Sequence, residues 1–132
     1  MRLRRPAWLG ALVAALALAG CNDADNAAFD SAYHSMSSAE VTVRGTVTGV
    51  LPDAPARADG PHQRFDVVID GVTVEIDHNL ALAPRAPVTV GETVVIHGQF
   101  EPDPGHPVIH YTHHATGSHE GGWIQVNGST YD

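Results

Sequence analysis

Apolar and polar residues alternate along most of the chain after Glu40. Val41, Val43 and Val47 alternate with polar positions, and Gly45 and Gly49 lie inside the same run. A period of two is typical of a half-buried β-strand, and glycine within a long strand allows it to bend sharply. The pattern therefore predicts a long, bent first strand that serves both halves of a sheet.

Further alternating runs predict the remaining strands. Asp70-Gly71 separates two of them, and this dipeptide is a strong signal for a two-residue hairpin turn. Residues 79–82 form a short helical turn at most, since Pro84 and Pro87 follow. The predicted strands after the first are 65–69, 72–76, 93–100 and 108–111, and a final hairpin covers 123–131.

This order of elements predicts an all-β fold with small α content. Three strands, a helical link and two more strands are the order of an OB-fold-like five-stranded barrel, here with a short N-terminal helix and a C-terminal hairpin. The stretch 90–98 resembles the entry to the fourth strand of that fold. A β-sandwich is the alternative architecture.

The segment before the first strand carries a helical pattern. Phe29, Tyr33 and Met36 recur at i, i+4 and i+7, and Asp25 precedes them as a candidate N-cap. We expect a short amphipathic helix that places these three apolar side chains on the domain that follows.

The first 20 residues read as an export signal. Three arginines precede a run of apolar residues that is too short to span a bilayer, and Leu18-Ala19-Gly20-Cys21 resembles the bacterial lipobox. The predicted organisation is a lipoprotein signal peptide over 1–20, a lipidated Cys21 with tether and short helix over 21–39, and the β-domain over 40–132.

Acylation of Cys21 would hold the domain on a membrane without a spanning helix. It would also remove the single thiol of the chain, which is a liability in an oxidising compartment. We expect a lipid-anchored protein on the periplasmic side of the bacterial envelope. Asn22 differs from the aspartate that retains some enteric lipoproteins in the inner membrane, so the outer membrane is favoured.

The charge balance disfavours nucleic acid as a partner. The chain has 7 arginines and lysines against 15 acidic residues, a net charge of −8, and it contains no lysine. Loss of the signal segment would leave Arg44, Arg57, Arg64 and Arg85, which lie far apart in sequence. A phosphate backbone is bound by clustered basic residues, and these four form no cluster in the sequence.

Several segments resemble an uncharacterised family of small exported bacterial proteins, the domain of unknown function 3465. The segments are VLPD (50–53), HQRF (62–65), HN (78–79), APR (83–85), VIHYTHH (108–114) and HEGGWI (119–124). Where family members tend to have Trp and Asp-Pro around the histidine run, this chain has Tyr111 and Ala115-Thr116. The resemblance implies an exported protein and no particular activity.

Histidine is the strongest chemical signal in the sequence. Five of the 9 histidines lie within 105–119, and imidazole is both a common metal ligand and a proton carrier near neutral pH. If 110–114 were all strand, His110 and His114 would lie about 13 Å apart on one face, and one ion would need ligands from several segments. If the run formed one helical turn, His110, His113 and His114 would lie on one side. Val108, Ile109 and Tyr111 favour the strand. The candidate ligands of a divalent transition metal, zinc or copper, are His62, His78, His110, His113, His114 and His119.

Both these histidines and their polar neighbours also have a simpler interpretation. Each of the six candidate histidines is either a metal ligand or a solvated and hydrogen-bonded surface residue. For His34, His97 and His106 we expect the second role. Arg64 and Arg85 either clamp an anionic ligand or pair with nearby acids. Asn79 and Trp123 are further candidates for ligand contact, with helix capping and core packing as their alternatives.

Three classes of function remain. The first is a periplasmic binding module for a transition metal or a small anionic ligand. The second is a metal-dependent or histidine-catalysed hydrolase that acts on phosphodiesters. The third is a structural or pH-responsive envelope protein without a ligand. We rank them in this order, and the sequence leaves open whether the protein is an enzyme.

Overall fold

A computed structural model describes residues 24–132. Within this range a helix precedes seven strands: α1 (Asn26–Ser35), β1 (Ala39–Arg57), β2 (Gly60–Ile69), β3 (Val72–Asn79), β4 (Thr93–Glu101), β5 (Val108–His110), β6 (Trp123–Val126) and β7 (Ser129–Tyr131). The predicted signal peptide and Cys21 lie outside the described residues. No helix in residues 24–132 is long and apolar enough to cross a membrane.

Five of the strands form a closed sheet because β1 has two partners. Its first part pairs with β4 from Ala39 to Thr46, and its second part pairs with β2 from Thr46 onwards. β2 pairs with β3, β3 runs parallel to β5, and β5 pairs with β4. A register shift between Val47 and Gly49 accompanies the bend of β1. The predicted all-β fold with small α content is confirmed.

The core fills the inside of this closed sheet. Alternate residues of each strand point inward, and Phe65, Ile76, Ile96 and Ile109 are fully buried. Burial of such side chains stabilises a fold by roughly 1.5–3 kcal/mol each. The outward positions of the same strands are left for polar residues, and several predicted site residues lie there.

The predicted helix is present, with one correction. Asp25 caps it by accepting a hydrogen bond from the amide of Ala28 at 3.3 Å, and Phe29 packs edge-on against Phe100 with centroids 5.0 Å apart. Tyr33 also packs against the core. Met36 does not, because it takes the left-handed conformation that ends the helix and is 54% exposed.

The hairpins agree with the turn signals. Asp70 and Gly71 both have positive φ, and so do Asn127 and Gly128. The first hairpin, β1–β2, extends further than predicted: β1 continues to Arg57 and β2 begins at Gly60. This long arm carries Asp59 and His62 toward the site described below.

Gly45 lies where β1 passes between its two partners, and a Cβ there would be 2.4 Å from Val67 Cγ1 and 2.6 Å from Val68 O. We therefore expect Gly45→Ala to lower the free energy of unfolding by about 2 kcal/mol or more through overpacking. Urea titration measures this as a lower midpoint at unchanged slope. Gly49→Ala is the matched control, since its nearest neighbour would be 3.7 Å away. Equal effects of the two changes would contradict the packing argument.

Candidate functional site

The structure brings four of the six predicted metal ligands to one cavity of about 260 Å³. We call it the histidine cavity; it lies between the start of β2, the end of β5 and the loop 111–122 that leads to β6. Asp59 and Tyr111 also line it. The predicted residues that line it are His62, His110, His113, His119 and Asn79.

Three of these imidazoles share one hydrogen-bonding arrangement. Nδ1 of His62 lies 3.1 Å from Gly60 O, that of His113 lies 2.9 Å from His114 O, and that of His119 lies 2.8 Å from Glu120 O. A carbonyl oxygen only accepts, so each Nδ1 carries the hydrogen and Nε2 of the neutral ring keeps its lone pair. Metal-ligating histidines in proteins have the same outer-shell bond.

Aromatic stacking fixes the cavity wall. Tyr111 lies between His110 and His119, with centroid distances of 4.0 Å and 3.9 Å and interplanar angles of 27° and 29°. The His113 ring meets the His119 ring nearly edge-on at 4.8 Å. Tyr111 has φ +56°, which ends β5 and turns the chain into the loop. The positions of these rings therefore depend on one another.

Burial controls the proton affinity of His113. Its side chain is nearly inaccessible, and this desolvation lowers the pKa of the imidazole below its ordinary value. The hydrogen bond to His114 O raises it, whereas the charges that His119, His114 and His62 carry when protonated lower it further. His113 is consequently neutral at pH 7.

Two predicted ligands take other places. His78 is fully buried and uses both ring nitrogens, Nδ1 with Thr112 Oγ1 at 2.7 Å and Nε2 with Pro84 O at 2.9 Å. These two hydrogen bonds join β3 to Thr112 and to Pro84, so His78 has a structural role. His114 has an exposed side chain. Its contact with His113 is made by its backbone carbonyl and not by its imidazole.

Both candidate arginines pair with acids. Arg64 donates to Glu75 Oε1 at 3.1 Å and to Pro52 O at 3.0 Å. The buried Glu75 also contacts His106 Nε2 at 2.7 Å. Arg85 forms a two-pronged pair with Asp53 that ties the 83–88 segment to the β1 arm. Neither guanidinium is free to clamp an anion.

A second cavity of about 400 Å³ adjoins the first and shares Asp59, His62 and His110 with it. Glu75 and Asp77 also line it. Burial and the nearby Glu75 raise the pKa of Asp77, whose Oδ1 is buried without a hydrogen-bond partner. The combined groove is rich in carboxylates, which favours cations over anions.

The two other candidate contact residues have structural roles. Asn79 accepts from the Ala81 amide at 2.9 Å and donates to Asp59 O at 2.8 Å, as expected of a turn cap. Trp123 lies on β6, away from the histidine cavity, and stacks on His97 at 5.9 Å.

A further cluster was missed by the sequence reasoning. Among residues 24–132, Glu40, His97 and Glu120 form the group whose potential ligand atoms all lie within 4.8 Å of one another, and it could hold a metal ion. The sequence interpretation assigned His97 to the solvated and hydrogen-bonded surface residues. Glu40 and Glu120 are far from it along the chain. The β1–β4 pairing brings Glu40 close to it, and the pairing of His97 with Trp123 brings the loop that carries Glu120.

Comparison with known families identifies the family of the chain and gives no activity. The model of the family described as "Protein of unknown function (DUF3465)" matches residues 12–132, so the chain belongs to that family. The resemblance inferred from the histidine-containing segments is confirmed. No curated protein and no solved structure matches the chain.

The burial of His78 predicts a pH dependence of stability. Desolvation lowers its pKa in the folded state, with smaller lowering by His113, His62 and Arg85. Its contribution is therefore complete above the unfolded pKa of about 6.5 and is lost as the pH falls below that value. We expect His78→Gln to cost roughly 1–3 kcal/mol at pH 7, and the difference from wild type to shrink toward pH 5.

Urea unfolding at several pH values measures this difference. The exposed His114→Gln is the control, and it should follow the wild-type curve throughout. A constant gap between wild type and His78→Gln from pH 7 to 5 would disprove the assignment.

Proposed function

We propose that this protein is a membrane-anchored periplasmic lipoprotein whose histidine cavity binds a divalent transition metal, zinc or copper. The supporting observation is the shared arrangement of His62, His113 and His119. Each donates Nδ1–H to a backbone carbonyl and keeps the Nε2 lone pair, and all three line one cavity. Imidazole nitrogen is a preferred ligand of both metals.

The side chains of these histidines must move to bind an ion, because among residues 24–132 the three residues whose ligand atoms all lie within 4.8 Å of one another are Glu40, His97 and Glu120. Asp59 Oδ2 already lies 3.6 Å from His62 Nε2, so a carboxylate accompanies the imidazoles. The histidine side chains would have to rotate for their Nε2 atoms to reach a common ion, and changes of rotamer commonly accompany binding. The fixed tautomers mean that no proton has to leave a neutral ring before ligation.

The charges support a cation rather than a small anionic ligand. Three carboxylates line the combined groove, those of Asp59, Glu75 and Asp77. Arg64 also lines it and is paired with Glu75. An anion would meet uncompensated carboxylates, and like charges in a cleft repel. The metal alternative of the sequence interpretation is therefore the one we retain.

The envelope location is supported by the sequence of the exported segment. Leu18-Ala19-Gly20-Cys21 follows a short apolar run, and the polar residues up to α1 provide a tether. Anchoring through acyl chains would hold the domain at the periplasmic face of a membrane, with the outer membrane favoured by Asn22.

Metal analysis of untagged protein prepared without metal columns tests the cavity. We expect about one equivalent of Zn²⁺ in the histidine cavity, and at least a tenfold loss of affinity in His113→Ala and in His119→Ala, since each removes a ligand. Titration calorimetry measures the affinity. His114→Ala and His34→Ala are exposed controls that should bind as wild type. Equal weakening in all four variants would indicate loose surface chelation and refute the site.

Labelling with a radioactive fatty acid tests the anchor. In a Gram-negative host the wild-type chain should incorporate label and fractionate with the outer membrane, whereas Cys21→Ser should incorporate none and appear in the soluble periplasm. Asn22→Asp is the sorting control, expected to keep the label and move to the inner membrane in an enteric host. Labelling of Cys21→Ser, or an unlabelled soluble wild type, would exclude this anchor.

A further inference from the structure

Glu40, His97 and Glu120 meet where β1, β4 and the loop 111–122 come together. His97 Nε2 lies 3.7 Å from Glu40 Oε2 and 3.9 Å from Glu120 Oε2. We propose that these residues form a second metal site, separate from the histidine cavity and with a different preference. This proposal does not depend on metal binding in the cavity.

The imidazole of this cluster is held in place by two neighbours. Thr42, the cross-strand partner of His97, places its hydroxyl 2.7 Å from His97 Nδ1. Trp123 stacks against the plane of the His97 imidazole, with ring centroids 5.9 Å apart and an interplanar angle of 23°. Nε2 faces the two carboxylates. In the tautomer that carries its hydrogen on Nδ1, the ring donates to the Thr42 hydroxyl, which is the outer-shell bond of a metal-bound histidine.

The carboxylates of the cluster outnumber the basic groups described beside them. In the part of the chain whose side chains are described, His97 is the basic group that comes within 4.0 Å of Glu40 or Glu120. One imidazole offers at most one positive charge to two carboxylates. Both carboxylates are partly exposed, with 30% of the Glu40 side chain and 60% of the Glu120 side chain accessible to solvent. A divalent cation would neutralise both carboxylates.

The donor atoms indicate which cation fits. One imidazole nitrogen and two carboxylate oxygens form a harder ligand set than the imidazoles of the histidine cavity, and carboxylates suit Mn²⁺. Mn²⁺ is the weakest binder of the first-row series at nitrogen-rich sites. It is consequently a selective probe for this cluster, whereas Zn²⁺ is expected to enter both sites.

The two sites share one loop. His119 lines the histidine cavity and the next residue, Glu120, belongs to this cluster. His119 Nδ1 donates to the backbone carbonyl of Glu120, which joins the two residues further. A ligand residue of one site is thus adjacent in sequence to a ligand residue of the other.

Titration with Mn²⁺, followed by the electron paramagnetic resonance signal of the free ion, tests the proposal on the untagged full chain. Wild type should bind about one equivalent, and Glu40→Gln, His97→Gln and Glu120→Gln should each weaken binding at least tenfold. Thr42→Val should weaken it by about tenfold to a hundredfold through loss of the outer-shell bond. Thr48→Val, an exposed change on the same strand, is the matched control and should bind as wild type.

The variants separate the two sites. His113→Ala should retain full Mn²⁺ affinity, even if it abolishes Zn²⁺ binding in the cavity. Because Glu120 is 60% exposed in a loop, Glu120→Gln tests the site even if a change on β1 or β4 impairs folding. No saturable Mn²⁺ binding by wild type, or unchanged binding by Glu120→Gln and Thr42→Val, would overturn the second site.

Discussion

The close approach of Gly122 to two other backbones is the constraint on which both candidate sites depend. A Cβ at this position would be 2.2 Å from Tyr111 O and 2.5 Å from His97 O, so only glycine lets the loop 111–122 lie against the middle of β4. The Gly122 amide also donates to His113 O at 2.7 Å, which closes the loop on itself. The loop supplies His113 and His119 to the cavity and Glu120 to the second cluster. Its position is therefore set by backbone contact and not by the polar side chains that it presents.

The closed sheet explains why the polar site residues lie on its outer surface. Apolar side chains at alternate positions fill the interior, and the polar residues between them are forced outward. On β2, β3 and β5 this brings His62, Asp77 and His110 to one face, because β3 pairs with both of the others. The face of strands two and three is where OB-folds commonly bind nucleic acid or sugars. Here that face is lined by carboxylates and imidazoles, which is a poor surface for a phosphate backbone.

The sequence predicted the strands well because local signals decide them. The Asp70-Gly71 turn, the alternation in β4 and the cap at Asp25 require no knowledge of distant contacts. The roles of the site residues were harder to predict, because they depend on how the strands are aligned with one another. His78 was a candidate ligand because it lies in a segment that resembles the family, yet the inward phase of β3 places it among buried residues. His97 resembled a lone surface histidine, and its carboxylate partners come from the two ends of the domain.

Charge connects the two sites to the rest of the molecule. The chain has no lysine, and Arg64 and Arg85 are held by Glu75 and Asp53. The remaining carboxylates near the imidazoles therefore have little protein cation to balance them, and repulsion among them opposes the compact state. Bound divalent ions would relieve this repulsion, and any ligand that binds only the folded protein stabilises it. On this reasoning the excess of acid over base and the clustering of histidine are two parts of one property, a domain whose electrostatics favour cations from its surroundings.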